Sequence, residues 1–114
     1  MSSKAVYVIS VAAELVEMSA ATLRRYERAG LLTPSRTRGG LRLYSDEDVA
    51  VLRQIHYLAD EWGVSIAGIG ALLDLTQRLI ALRELLESEQ FCQVDQDRLA
   101  LSKVNEALAI LGRS

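Results

Sequence analysis

The sequence predicts a mainly α-helical fold, with a winged helix-turn-helix head, a small β-hairpin as the wing, and a C-terminal helical arm. Three observations predict it. Two short amphipathic segments meet at a tight connection near Met18. A Gly39-Gly40 turn separates two short arms that carry arginines. From Leu72 onward, leucines recur at alternating steps of three and four residues. The predicted domains are a head, residues 1–75, and an arm, residues 76–114.

The first two helices of the head are short. Ser10 is a suitable N-cap for a helix over residues 11–17, and Ser19 for a second helix over residues 20–29. Two short helices joined by a turn of three or four residues have the spacing of a helix-turn-helix motif.

The wing follows the second helix directly. Gly30 suits the C′ position that ends a helix, and Pro34 fixes the direction in which the chain leaves. Residues 36–38 and 41–44 then form two arms around the glycine turn, which predicts a hairpin. Ser45 and Asp48 have the spacing of a capping box, so we expect a third helix to begin there and to end near Glu61. Ser65 caps the next helix.

The arm carries an apolar repeat of the coiled-coil type. Its phase breaks over residues 88–96 and then resumes, so the arm is either one helix with a stutter or two helices that meet near residues 91–95. A helix of a second copy is the favoured partner, and packing back on the same chain is the alternative. A membrane surface is disfavoured because anionic lipid would repel the acid-rich polar face. The predicted dimerisation residues are Leu75, Leu79, Leu82, Leu86, Leu101, Val104 and Leu108.

The composition bounds the class of protein. The chain has 114 residues, of which 50% are apolar, and a net charge of −2. No apolar run approaches the ~20 residues that span a bilayer, and the N-terminus has no signal-peptide pattern, so we expect a cytoplasmic protein. Cys92 is the only cysteine, which excludes an internal disulfide and a Cys-rich metal site within one chain.

The net charge conceals an uneven distribution. Residues 18–44 contain six arginines and one acid, Glu27, for a net charge of +5, whereas the rest of the chain is acidic. Arginine presents a planar fork of donors that suits phosphates and guanine edges. A solvated basic face is the plainer interpretation, but six arginines in one short segment favour a polyanion-binding surface.

The second helix has one cationic side. At about 100° per residue, Ala21, Arg24, Arg25 and Arg28 fall on one arc, and Leu23 and Tyr26 fall opposite. Such a helix fits a DNA major groove, and Thr22 in its first turn could meet a phosphate. In the wing, Arg36, Arg38 and Arg42 would add phosphate contacts beside the groove-bound helix.

These residues also carry a family resemblance. Residues 22–34, TLRRYERAGLLTP, resemble the MerR family signature T-(I/L)-R-x-Y-E-x-x-G-L-(L/I/V)-x-P. Residues 36–44 resemble the family's wing, and the resemblance covers about residues 7–75. Within the family, residues 6–45 and 62–69 are most similar to the actinobacterial heat-shock-repressor (HspR-type) subgroup.

The resemblance implies a homodimeric winged-helix regulator joined by an antiparallel C-terminal coiled coil. It implies that Arg24, Tyr26, Arg42 and Tyr44 contact the operator, and the subgroup implies a chaperone as co-repressor. Two departures stand out. Many members have an aromatic residue where Arg25 stands, and an Asn-Gly-Tyr wing tip where this chain has Gly39-Gly40-Leu41.

Other candidate sites carry less weight. His56 has helical spacing to apolar residues, which predicts a half-buried structural histidine rather than a ligand. Trp62 is interpreted as a core anchor at a helix end. Cys92 has no partner thiol nearby, which disfavours metal sensing, although a disulfide between two copies stays open. No grouping typical of catalysis is present, so we expect no enzyme activity, no cofactor and no metal.

The sequence thus predicts a transcriptional regulator, a repressor, that binds double-stranded DNA at a pseudo-palindromic operator as a homodimer. Two alternatives stay open. One is an excisionase-like architectural protein that bends DNA, and the other is a coiled-coil interaction module that does not bind DNA.

Overall fold

The computed structural model describes residues 4–88 and 95–113. The chain divides into two compact units between Gly70 and Ala71, a position inside a continuous helix. The predicted domain boundary after residue 75 falls within the same helix. The elements in chain order are β1 Ala5–Val8, α1 Ile9–Val16, α2 Ala20–Arg28, β2 Ser35–Arg36, β3 Arg42–Ser45, α3 Asp46–Asp60, α4 Ile66–Glu87 and α5 Asp95–Ile110.

The first unit contains a three-stranded antiparallel sheet in the order β1-β3-β2. β2 and β3 are the two arms of the predicted hairpin, with Arg36 opposite Arg42. β1 adds a third strand on the other side of β3, where Val8 lies opposite Leu43. The wing is therefore anchored to the N-terminal strand as well as to the turn that forms it.

The core of this unit lies among α1, α2, α3 and β3. Leu23 of α2, Leu52 and Ile55 of α3, and Tyr44 of β3 are all fully buried. Burying such side chains contributes about 1.5–3 kcal/mol each. The apolar side of α2 is thereby held against the rest of the unit, and its opposite side faces solvent.

Serine side chains begin three of the helices, as predicted. Ser19 Oγ accepts a hydrogen bond from the Thr22 backbone N–H at 3.1 Å. Ser45 and Asp48 form a reciprocal capping box, at 3.0 and 2.9 Å. Ser65 Oγ accepts from the Gly68 N–H at 3.2 Å. Each bond satisfies a backbone donor that has no partner within the helix.

The prediction for the start of α1 was wrong. The helix begins at Ile9, immediately after β1, with Val8 at the N-cap and no side-chain cap. Ser10 therefore lies inside the helix. Because β1 pairs with β3 up to its last residue, the chain passes from strand to helix with no intervening loop. This long-range pairing, rather than local capping, sets where the helix starts.

Two expectations about side-chain burial were also wrong. His56 is exposed, because the buried face of α3 runs through Leu52, Ile55 and Leu58 and leaves His56 outside it. Trp62 is 58% exposed, so it is not a core anchor. It follows the end of α3, just before Gly63, whose φ of 63° turns the chain away from the helix axis.

The second unit contains two helical segments, the later part of α4 and the whole of α5. Their buried contact is formed by Leu86, Val104 and Leu108, and Leu79, Ile80, Ala100 and Leu101 pack against it. In the part of the arm that the structure describes there are thus two helices, and α5 packs back on α4 of the same chain. Of the predicted phase break over residues 88–96, residues 89–94, with Cys92 among them, lie outside the described residues. Within the described residues, no helix is long and apolar enough to span a membrane.

Candidate nucleic-acid interface

The helix α2 separates its charges from its apolar side chains, as the helical projection predicts. Arg24, Arg25 and Arg28 are exposed, whereas Leu23 is fully buried and Tyr26 is 4% exposed. The three guanidinium groups therefore share the outer face of a helix whose inner face is fixed in the core. A planar cationic fork on a fixed helix can reach phosphates and base edges in a groove.

The first turn of α2 is closed by its cap. The hydroxyls of Ser19 and Thr22 lie 2.8 Å apart, and Ser19 Oγ also accepts the Thr22 N–H. The Thr22 hydroxyl is thus already hydrogen-bonded within the chain, and the residue is half-buried. Either hydroxyl can be the donor of that bond, so the Thr22 hydroxyl can donate to a phosphate oxygen when Ser19 supplies the proton between them.

Arg25 is oriented by the buried tyrosine that follows it. Its Cζ lies 5.5 Å from the centroid of the Tyr26 ring, within the range of a cation–π interaction. The ring is therefore a packing surface for Arg25, while the guanidinium stays exposed. Arg25 stands where many members of the resembled family have an aromatic residue, and its charge here adds to the outer face of α2.

The wing turn is tightly hydrogen-bonded. The Thr37 N–H donates to the Leu41 carbonyl at 2.9 Å, and the Gly40 N–H donates to the Thr37 carbonyl at 2.9 Å. Gly40 has a φ of 83°, a conformation that favours glycine. The Thr37 hydroxyl accepts from the Leu41 N–H at 3.1 Å. The turn leaves Arg38 and Leu41 exposed at its tip.

Glu27 connects α2 to both strands of the wing, which the sequence did not predict. Its Oε2 accepts from Arg36 Nη2 at 2.7 Å, and its Oε1 accepts from Arg42 Nε at 2.5 Å. Arg36 Nη1 also donates to the Gly40 carbonyl at 3.0 Å. One signal was available in the sequence: Glu27 is the only acid among the six arginines of residues 18–44.

The electrostatics of this cluster follow from those bonds. The hydrogen bond from Arg42 lowers the pKa of Glu27, and the Arg36 bond lowers it further against an opposing contribution from burial. The same hydrogen bond, which Arg42 donates to Glu27, raises the pKa of Arg42. Glu27 is therefore held as a carboxylate, bound to two cations in a partly buried position.

Tyr44 is placed differently from what the resemblance implies. Its side chain is fully buried in the core, and its hydroxyl is buried with no hydrogen-bond partner among the residues that the structure describes. Burial raises the pKa of this phenol, and the nearby Glu27 carboxylate raises it further. In this structure Tyr44 supports the wing from beneath and presents no group to a ligand at the surface.

The predicted site residues therefore divide into two groups. The exposed cations, Arg24, Arg25, Arg28 and Arg38, are available on α2 and at the wing tip. Arg36 and Arg42 are engaged with Glu27, and the rings of Tyr26 and Tyr44 are buried. Among the described residues, no three His, Cys, Asp or Glu side chains are grouped so as to hold a metal ion. The arrangement is suited to binding an extended polyanion.

Comparison with known proteins is consistent with this geometry. The family model described as "MerR HTH family regulatory protein" matches residues 7–76. A crystal structure of a transcriptional regulator of the MerR family from Bacillus cereus superposes with a TM-score of 0.55 at 28% sequence identity. That likeness covers 90% of this chain and 80% of the other.

Two proteins of other bacteria are similar to this chain in sequence. The "Putative heat shock protein HspR" of Streptomyces coelicolor is 44% identical over 78 residues, which are 68% of this chain and 52% of that protein. The "HTH-type transcriptional repressor CarH" of Myxococcus xanthus is 48% identical over 68 residues, 59% of this chain and 22% of that protein.

The chain spans about half the length of HspR and less than a quarter of that of CarH. The predicted family is confirmed by the model match across residues 7–76, well over half of the sequence. This protein belongs to the MerR family of helix-turn-helix regulatory proteins.

Proposed function

We propose that this chain is a sequence-specific, double-stranded-DNA-binding transcriptional repressor that acts as a homodimer on a pseudo-palindromic operator. The observation that carries the proposal is the outer face of α2, where Arg24, Arg25 and Arg28 are exposed on a helix anchored by Leu23. A helix fixed in this way can enter a major groove without losing conformational freedom. The wing beside α2 adds contacts to the DNA phosphate backbone, and such contacts position a protein on the duplex.

The sign of regulation is supported by a relative. CarH, which shares 48% identity over 68 residues, is a transcriptional repressor by name. HspR, at 44% identity over 78 residues, is described as a putative heat shock protein. Together with the heat-shock-repressor resemblance of the head, these favour repression, with a chaperone as the candidate co-repressor.

The homodimer is supported by the apolar side chains that the arm leaves uncovered. Leu79, Leu86, Leu101, Val104 and Leu108 belong to the packing of α4 with α5 within one chain. Leu75 and Leu82 remain 46% and 42% exposed, on the same helix α4. A second copy would cover these leucines, and a twofold assembly would read two half-sites whose binding energies combine.

A salt titration of duplex binding tests the proposal. Because several arginines would displace counterions from phosphates, the logarithm of the binding constant should fall steeply with the logarithm of the salt concentration. A selected operator should bind more tightly than a random duplex at every salt concentration. The triple variant Arg24→Gln, Arg25→Gln, Arg28→Gln should lose both the affinity and most of the slope.

The alternatives give different results. An interaction module that does not use DNA would show no duplex binding even at low salt. An architectural protein would bend the duplex strongly, as measured by circularly permuted fragments, with little preference for the operator. Either result would overturn the proposed repressor function.

A further inference from the structure

Glu27 occupies an unexpected position for a carboxylate. It lies on α2, between the exposed Arg24 and Arg28, and is the only acid in a segment whose net charge is +5. A negative charge beside a phosphate-binding surface repels DNA, so a surface selected only for charge would not contain it. The side chain is only 19% exposed and both of its oxygens accept hydrogen bonds. Its position therefore has another physical reason.

The two arginines bound to Glu27 donate their hydrogen bonds through different nitrogens. Arg36 donates through Nη2 to Glu27 and through Nη1 to the Gly40 carbonyl, so one N–H of each terminal nitrogen is engaged within the chain. Arg42 donates to Glu27 through Nε alone. A guanidinium carries five N–H donors in a fixed fork, and among the described residues Nη1 and Nη2 of Arg42 have no acceptor, so this terminal edge is left for another one. A phosphate accepts bidentate bonds from that edge.

We propose that Glu27 is a positioning residue for DNA binding, which fixes the wing to α2 and holds Arg42 with its terminal edge presented to a phosphate. Arg36 then joins the wing turn to Glu27 through its hydrogen bonds to the Gly40 carbonyl and the Glu27 carboxylate. Of the two arginines, Arg42 alone contacts a phosphate. This inference rests on the proposed DNA-binding function. It divides the roles of two arginines that the sequence alone treats as equivalent.

The sign of one substitution separates positioning from simple electrostatics. Glu27→Gln removes a negative charge with almost no change in shape. If charge alone mattered, this variant would bind DNA more tightly, because repulsion of phosphate is removed. If Glu27 positions the wing, the variant should bind more weakly, by about three- to tenfold, because two charge-assisted bonds are lost or weakened. Glu14→Gln, at an exposed position of α1, is the matched control and should not weaken binding.

The division of roles is tested by the salt slope. Arg42→Gln should reduce the slope by about one phosphate contact, on operator and random duplex alike. Arg36→Gln should lower the affinity while leaving the slope unchanged, because Arg36 makes no phosphate contact. In the Arg42→Gln background, Glu27→Gln should cost far less than in the wild type, since the contact that it positions is already absent.

The outcomes are distinct from those that test DNA binding itself. If the wild type fails to bind duplex DNA, the proposed function fails. If the wild type binds with a steep slope and Glu27→Gln binds equally well or more tightly, the positioning role is overturned. Circular dichroism shows whether Glu27→Gln folds, and if it does not, the two arginine slopes decide. Equal loss of slope in Arg36→Gln and Arg42→Gln would overturn the division of roles.

Discussion

Arg42 Nε donates to Glu27 Oε1 at 2.5 Å and so joins strand β3 of the wing to helix α2. Arg36 reaches the other oxygen of the same carboxylate from strand β2. The Arg42 bond, followed by the Arg36 bond, lowers the pKa of Glu27 below its ordinary value of 4.5. The unfolded chain has no such bonds, so the pKa of Glu27 is lower in the folded state than in the unfolded state. The free energy of unfolding therefore depends on pH.

The first prediction concerns that dependence. A carboxyl group with a lowered pKa in the folded state contributes stability that is fully present above its unfolded pKa and is lost as the pH falls through its folded pKa. The free energy of unfolding of the wild type should therefore fall as the pH drops below the ordinary glutamate pKa of 4.5 and through the lowered pKa of Glu27. Glu27→Gln should be less stable than the wild type at neutral pH and should lose less on acidification. Urea unfolding at a series of pH values measures both.

Glu14→Gln serves as the control for this experiment, because Glu14 is an exposed carboxylate on α1 of the same unit. Its stability should follow the wild-type curve across the acid range. A Glu27→Gln variant that follows the same curve would show that the bonds to Arg36 and Arg42 do not stabilise the fold.

The second prediction concerns base recognition. Arg24 is exposed at the centre of α2, about one turn after the N-terminal residues through which a recognition helix contacts base edges. If Arg24 reads a base, Arg24→Ala should cost about 1–3 kcal/mol on the operator and relax the preference at one position. Competition gel shifts with operator and random duplexes measure the difference. Equal losses on both duplexes would show that Arg24 contacts a phosphate instead.

Much of the head could be predicted from local sequence. Ser45 and Asp48 form the expected capping box, and Gly30 has the expected positive φ, of 80°, after α2. Leu23 and Tyr26 are buried together opposite the arginines, as the 100° rotation per residue requires. These features depend on side chains within a few residues of one another, and such contacts are encoded locally.

The remaining features depend on contacts between distant residues. Glu27 meets Arg36 and Arg42 across 9 and 15 residues, so no helical or strand period relates them. The start of α1 depends on the pairing of β1 with β3, which begins with Ala5 opposite Ser45. The exposure of Trp62 depends on the direction of the chain at Gly63 rather than on the hydrophobicity of the indole. Tertiary packing determines each of these three features, and a local sequence pattern carries no information about contacts between distant residues.

The third prediction concerns the buried hydroxyl of Tyr44. A buried hydroxyl without a partner loses its hydrogen bonds to water on folding, at a cost of about 1–3 kcal/mol. Tyr44→Phe removes that hydroxyl and keeps the ring that packs in the core. We expect its free energy of unfolding to equal or exceed that of the wild type, in chemical denaturation at neutral pH.

Duplex binding by Tyr44→Phe checks the role of the residue independently. Because the hydroxyl is buried, the affinity for the operator should stay at the wild-type value. Weaker binding by a variant of unchanged stability would show that the wing moves on DNA and brings Tyr44 to a phosphate. That result would restore the contact that the family resemblance implies.

The fourth prediction concerns the assembly of two copies through α4. Leu82 is 42% exposed, whereas Leu86, one helical turn further on, is 9% exposed and belongs to the packing against α5 of the same chain. These two leucines therefore separate assembly from folding. Leu79 is half-buried against that same packing and would disturb both. In the proposed homodimer, Leu82→Asp would place a charge on the surface that a second copy covers, with little effect on the helix pair.

Light scattering and circular dichroism together give the result. If the wild type is the proposed dimer, Leu82→Asp should convert it to a monomer with unchanged helical content. Gln77→Asp, which adds the same charge at another exposed position of α4, should remain dimeric. Leu86→Ala should instead lower the free energy of unfolding by about 2–5 kcal/mol, because it opens a cavity in the helix pair. A dimer that persists in Leu82→Asp would remove this face of α4 from the interface, and the two half-sites would then have to be joined by another surface.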